Sequence, residues 1–155
     1  MARTAPPGGG SSPRGRAGCA VGGTRRVRDR VTANPLNQTV LIIEDDPAIG
    51  NMLMTLLGIE GYQPVLKSDG QAGLDAAREL HPAIITLDLS LPTIDGMQVL
   101  DQLDDRSGHR IPVIIVSAYT DTLTSAHRAR VSAILTKPFE IDTLLRCIGT
   151  ALGHT

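Results

Sequence analysis

Thr39-Val40-Leu41-Ile42-Ile43-Glu44-Asp45-Asp46-Pro47 is the stretch on which the fold turns. Val40, Leu41, Ile42 and Ile43 form a short, unbroken apolar run that ends in acids, the mark of a strand buried on both faces. Such a strand sits inside a sheet with a helix layer on either side. Pro47 suits the first turn of a following helix, where its missing N–H costs nothing. Asp46 reads as the N-cap of that helix. Ile49, Met52, Leu53, Leu56 and Leu57 then recur at spacings of three and four, which predicts one helical face turned to the sheet.

The same alternation continues downstream. A strand fits Gln63 to Leu66, and a helix fits Gln71 to Leu80 with Leu74, Ala77 and Leu80 inward. Ala83 to Leu87 is a third apolar run and ends at Asp88. A helix from about Gly96 to Asp105 carries Met97, Val99, Leu100 and Leu103. Ile111 to Val116 is the fourth run, ending at Ser117, and a polar, irregular helix follows around Thr122 to Ala129. Ala133 to Thr136 is the fifth run and ends at Lys137. The last helix, Ile141 to about Leu152, places Ile141, Leu144, Leu145, Ile148 and Leu152 on one side. Strands alternating with helices predict a parallel sheet covered on both faces. Right-handed crossovers make it an open, doubly wound α/β fold.

Upstream the chain is a different polymer. Residues 1–37 carry seven arginines against one acid, a balance of +6, and residues 38–155 carry eight Lys/Arg against fifteen Asp/Glu, a balance of −7. Pro6-Pro7, Gly8 to Gly10 and Gly22-Gly23 leave the first segment too little apolar surface to offset its chain entropy. We read 1–37 as a disordered tail, or an upstream start codon, ahead of a folded domain at 38–155. No apolar h-region follows Arg25-Arg26, so no secretory or twin-arginine signal is read. No aromatic residue is interleaved with the arginines, so nucleic acid is not the expected partner. Nor does any apolar run approach the roughly 20 residues that cross a bilayer. Cys19 and Cys147 make neither a disulfide framework nor a metal spacing, so a reducing cytoplasm is the expected location. Cys147 reads as a small buried apolar residue.

In doubly wound sheets ligands bind outside the carboxyl ends of the strands. Those ends deliver Glu44, Asp45 and Asp46, then Asp88, then Ser117, then Lys137. Carboxylates gathered at one edge repel unless a cation joins them. The chemistry that uses carboxylates, a hydroxyl and an ammonium together is phosphoryl transfer to a carboxylate. Hard oxygen ligands suit Mg²⁺, which keeps waters and binds phosphate oxygens. Lys137 can pair with a bound phosphate as a point charge. Each residue alone has a plainer reading: Asp45 or Asp46 as a helix cap, Asp88 as a turn residue, Lys137 as a surface lysine. Only the set carries the chemistry.

The stretches Leu41-Ile42-Ile43-Glu44-Asp45-Asp46-Pro47, Leu87-Asp88-Leu89-Ser90-Leu91-Pro92 with Asp95-Gly96, Ser117-Ala118, and Thr136-Lys137-Pro138-Phe139 resemble the receiver domains of bacterial two-component response regulators. The resemblance covers about residues 38–153. It implies a flavodoxin-like five-stranded sheet in the order 2-1-3-4-5, an order taken from the known example of a chemotaxis regulator. By position, Asp88 resembles the phosphoacceptor. Glu44 and Asp45 resemble the acidic pair, with Asp45 favoured as the direct metal ligand, and the carbonyl of Ser90 corresponds to a further metal contact. Ser117 resembles the switch hydroxyl and Ala118 the small residue beside it. Lys137 resembles the family's lysine, with a cis bond to Pro138. The implied cofactor is Mg²⁺, and the implied donor is a histidine kinase or a phosphotransfer protein. The chain's end soon after the last helix implies a single-domain regulator that docks to an output protein and converts no external metabolite.

Two departures stand out. The family usually carries an aromatic residue three places before the lysine, and here that place is Ile134. The interval from Ser117 to Lys137 is also slightly short, with Val131-Ser132-Ala133 where a Gly-Ala pair is usual. The altered region keeps open a receiver-like interaction module that signals without phosphorylation. A haloacid dehalogenase-type phosphatase would need an aspartate where Ser90 stands. A flavodoxin-like electron carrier would need a phosphate loop where three carboxylates stand.

Overall fold

Val40, Leu41 and Ile42 have no exposed surface and Ile43 is 1% exposed, as expected of a strand with helices over both faces. The computed structural model describes residues 37–103 and 110–154. The expected tail lies outside the described residues apart from Asn37, as does the expected helical stretch past Leu103.

Five strands form the sheet: β1 (Thr39–Ile43), β2 (Gln63–Lys67), β3 (Ile84–Leu87), β4 (Val113–Ser117) and β5 (Ala133–Thr136). Their order is β2-β1-β3-β4-β5, and every neighbouring pair is parallel. The helices are α1 (Pro47–Ile59), α2 (Gly70–Leu80), α3 (Gly96–Gln102), α4 (Ser125–Arg130) and α5 (Ile141–Ala151), with a 3₁₀ turn at Thr120–Thr122 before α4. The architecture is the flavodoxin-like one. Among the described residues, no helix is long and apolar enough to cross a membrane.

Successive side chains of a strand point to opposite faces, so each strand feeds two cores. Leu41, Ile43, Ile85, Leu87, Val113 and Ile115 join Leu74 and Ala77 of α2 and Val99 and Leu100 of α3. Val40, Ile42, Ile84, Ile114 and Val116 join Leu53 and Leu57 of α1 and Leu144 and Ile148 of α5. Register is therefore fixed by two buried sets at once, because a one-residue slip would exchange them. The edge strands β2 and β5 are only partly buried.

Several expectations need correction. Met52 is 39% exposed, because the buried line of α1 runs through Gly50, Leu53 and Leu57 instead. A Cβ on Gly50 would stand 2.9 Å from the Leu66 side chain, so this glycine lets the helix sit close on β2. Leu80 is 42% exposed, because the helix ends there and His81 turns the chain in a left-handed conformation at φ 46°. Cys147 is half-buried at the rim of the α1–α5 core. β4 begins at Val113 because Pro112 has no N–H to give the ladder. The irregular helix after β4 is shorter than expected and begins later, at Ser125.

Candidate functional site

Four parallel ladders, including the one that pairs β3 with β4, bring the strand ends to one edge, and the chain leaves β1, β3, β4 and β5 carrying a polar side chain. At the end of β1 the Glu44 N–H donates to the Lys67 carbonyl at 3.0 Å. At the end of β3 the Asp88 N–H donates to the Ile43 carbonyl at 3.0 Å. At the end of β5 the Lys137 N–H donates to the Ser117 carbonyl at 3.0 Å. The sheet's own hydrogen bonds thus set Glu44, Asp88, Ser117 and Lys137 side by side.

Glu44, Asp88 and Ser117 are buried, at 3%, 4% and 0% exposure. Buried carboxylates persist only when paired, and Lys137 pairs both of them. Its Nζ donates to Glu44 Oε2 at 2.8 Å and to Asp88 Oδ2 at 3.0 Å. The other oxygen of each acid is held by backbone. Glu44 Oε1 accepts from the Asp46 N–H at 3.0 Å, and Asp88 Oδ1 accepts from the Ser90 N–H at 3.1 Å. Burial pushes the Glu44 carboxyl above the usual range, and the charge of Asp88 adds to this against the opposing pull of Lys137 and the Asp46 N–H. Burial alone would lower the Lys137 ammonium, but its hydrogen bonds to Glu44 and Asp88 outweigh that and raise it. Lys137 is therefore a fixed cation at neutral pH.

Glu44, Asp45 and Asp88 offer carboxylate oxygens that lie within 4.8 Å of one another, with Asp45 exposed to solvent. Such a cluster of hard oxygens, one member facing water, fits a divalent cation that keeps some of its own waters. Asp46 serves the helix instead, its side chain accepting from the Ala48 and Ile49 N–H groups as the N-cap of α1.

The loop after β3 is held close. The Gly96 N–H donates to the Leu89 carbonyl at 2.9 Å, and a Cβ on Gly96 would lie 2.5 Å from Leu89 Cα and collide with the Asp88 carbonyl. Asp95 caps α3 in a reciprocal box with Gln98. Ser117 Oγ accepts from the Tyr119 N–H at 3.3 Å, and Ala118 stands exposed between them. The Lys137–Pro138 peptide is cis.

Ile134 is not at the charged edge. It pairs with Ile115 and packs, partly buried, on the core beneath α2 and α3. Two residues near the site escape a reading of the sequence. Thr120 Oγ1 and Thr136 Oγ1 lie 3.1 Å apart and tie the 3₁₀ turn to the end of β5. Two threonines sixteen positions apart carry no spacing signal that could have announced this.

Comparison with known proteins agrees with this fold. A family model for the response regulator receiver domain matches residues 40–149. The DNA-binding response regulator MtrA of Mycolicibacterium smegmatis is 38% identical over 88 residues, 57% of this chain and 38% of that protein. The chain spans half or less of the length of the curated relatives it matches. Among solved structures, the Francisella response regulator 1452 receiver domain has a TM-score of 0.68 at 28% identity, covering 76% of this chain and 98% of that one. The receiver domain of the Pseudomonas aeruginosa sensor histidine kinase PA1611, whose active-site cleft holds a magnesium ion, has a TM-score of 0.66 at 25% identity, again covering 76% and 98%. The motifs, the strand order and these matches agree, and the chain belongs to the response regulator receiver domain family of two-component systems.

Proposed function

We propose that Asp88 accepts a phosphoryl group from a histidine kinase or a phosphotransfer protein, and that the modified domain signals by docking to an output protein. The observation that carries this reading is the Lys137 bridge between the buried Glu44 and Asp88 carboxylates, beside an open cluster of acidic oxygens. A carboxylate oxygen of Asp88 attacks phosphorus, an O–P bond forms, and the donor's N–P bond breaks as its imidazole leaves. Lys137, whose Nζ lies 3.0 Å from Asp88 Oδ2, takes a phosphoryl oxygen as its counter-charge. Ser117 donates its hydroxyl to a second oxygen, and Ala118 leaves room for the group. Glu44, Asp45, Asp88 and the Ser90 carbonyl would hold Mg²⁺, which when bound neutralises charge on the transferring phosphoryl group. On this reading residues 38–155 are a cytoplasmic signalling domain behind a tail at 1–37, and no external metabolite is converted.

A second reading, a receiver that docks without phosphorylation, draws on Ile134, whose side chain cannot swing a ring between buried and exposed positions. One experiment separates the two. Wild type and Asp88→Asn are treated with acetyl phosphate and Mg²⁺, then analysed by intact-mass and peptide mass spectrometry. Wild type gains one phosphoryl group on the peptide containing Asp88, and the variant gains none. Full labelling of the variant, or no labelling of wild type, overturns the phosphoacceptor reading.

A further inference from the structure

α1 carries more apolar surface than the sheet covers. Its 13 residues, Pro47–Ile59, include no charged side chain. A surface helix ordinarily sets charged residues opposite its buried stripe. Here the buried stripe is Gly50, Leu53 and Leu57. A second line, Ile49, Met52, Leu56 and Ile59, recurs at spacings of three, four and three, about a third of a turn round the helix from the first. Met52 is 39% exposed and Ile59 is 74% exposed. A contiguous apolar line open to solvent marks a contact surface.

The line has a knob at one end and a hollow at the other. Ile59, the last residue of α1, stands out into solvent. Toward the start of the helix, Ile49 and Met52 form one wall of a groove of about 380 Å³, completed by Lys137, Pro138, Phe139 and Ile141. The Lys137 ammonium is taken up by Glu44 and Asp88, and the groove surface is mostly apolar. Met52 and Ile59 are seven residues apart, about 10 Å along the helix. Two copies of α1 packed antiparallel across a twofold axis near Leu56 put each Ile59 opposite the other copy's Met52, at the mouth of its groove. A twofold contact needs a self-complementary surface of this kind. In that register Glu60 falls opposite Asn51, so the acid at the helix end meets an amide. Charge favours the same occupant. Residues 38–155 carry a balance of −7, so two copies repel unless they meet on an uncharged face, and α1 supplies one.

We propose that α1 and the groove beside it form a twofold interface between two copies of this chain, with Ile59 of each copy seated between Met52 and Phe139 of the other. This interface does not depend on the phosphoacceptor reading of Asp88. A helix of 13 residues spans only about 20 Å. The contact therefore lies at the low end of interface sizes, and the dimer half-dissociates at roughly 10–500 μM.

The test is sedimentation equilibrium of the full chain from roughly 5 μM to 1 mM, at low and at high salt. Wild type passes from monomer to dimer in that range and holds or tightens at high salt, because salt does not screen apolar contacts. Ile59→Lys and Met52→Glu alter side chains open to solvent, and NMR spectra at dilute concentration check that each variant folds. Each alone weakens dimerisation by roughly tenfold or more. An equimolar mixture of the two recovers to within about threefold of wild type. In the mixed dimer the new ammonium at 59 faces the new carboxylate at 52, and the other Ile59–Met52 contact is native. Leu80→Lys, on α2 across the sheet, associates as wild type does. A monomer throughout the range overturns the interface and leaves the groove to a partner of another sequence. Wild-type association in Ile59→Lys overturns it too, as does a mixture no tighter than its components. Association that high salt abolishes belongs to charge and not to α1, and overturns it as well.

Discussion

The carboxyl edge of the sheet and the helix α4 in the β4-to-β5 connection are built differently. At the edge Ser117 and Lys137 close a site in which Glu44 and Asp88 are at most 4% exposed and each carboxylate oxygen accepts a hydrogen bond. A few residues along the chain, α4 presents no buried residue and hangs on Asp101, Arg130 and Arg128 through exposed or half-exposed polar bonds. The site inherits its rigidity from strands whose flanking side chains are almost wholly buried. α4 inherits little from the core beyond Leu123 and Val131 at its two ends. The difference teaches that rigid positioning and local opening make opposite structural demands. A side chain set on the ladder is held by burial around it, and a short segment with no buried residue has few contacts to oppose local opening.

The largest effect that sharpens this contrast is expected at Gly96. A Cβ there meets the backbone of Asp88 and Leu89, which cannot step aside like a flexible side chain. Gly96→Ala is expected to cost about 3 kcal/mol in urea unfolding, near the upper end for overpacking, and to slow Asp88 labelling because the shifted atoms are its own carbonyl. A loss below about 0.5 kcal/mol, the ordinary level for a surface change, would show that the site end is softer than its burial implies.

Next comes Lys137→Met. Removing the cation that pairs two buried carboxylates is expected to cost about 2–3 kcal/mol at neutral pH without divalent cation, less than the ~3–5 kcal/mol of a wholly buried pair because the Lys137 side chain is 17% exposed. The sign with pH follows from linkage. Burial already raises the Glu44 carboxyl in the folded chain, and losing Lys137 raises it further. Below the ordinary carboxylate range both folded and unfolded chains hold that proton, so the deficit is small there and grows as pH rises through the raised value. Mg²⁺ is expected to recover part of the loss at neutral pH by supplying charge to the same oxygens. Chemical denaturation at several pH values, with and without Mg²⁺, reads all three. A pH-independent deficit would mean that lost packing of the lysine stem, not the ion pair, explains it.

How far these differences can be read in advance depends on the type of interaction. β1 is legible because four consecutive apolar residues have one physical explanation, and the strand ends then name Glu44, Asp88, Ser117 and Lys137 together. Asp46 is legible as a cap because capping is local. Met52 and Leu80 are misread because helical spacing says which residues share a stripe but not how wide the stripe is, nor where the helix runs off the sheet. The partition between Glu44, buried on Lys137, and Asp45, open to water, depends on the path the chain takes as it leaves β1. The ties of Asp101 to His127 and Arg130 span 26 and 29 residues and join two short polar stretches with no pattern of their own. Local rules see caps and strands; polar ties between loops appear only once the fold has set the distances.

The smallest effect is the one that can break the comparison outright. Asp101→Ala removes the acceptor shared by His127 and Arg130, but Asp101's side chain is 57% exposed, so solvent screens much of what those bonds contribute. The global cost is therefore expected to be below about 1 kcal/mol, within a few degrees in melting temperature. Exchange over Ser125–Arg130 is expected to rise severalfold all the same, because local opening of α4 need not unfold the sheet. A global loss as large as that of Gly96→Ala, with exchange changing everywhere in step, would mean that α4 opens only when the whole domain does. α4 would then belong to the same rigid unit as the site.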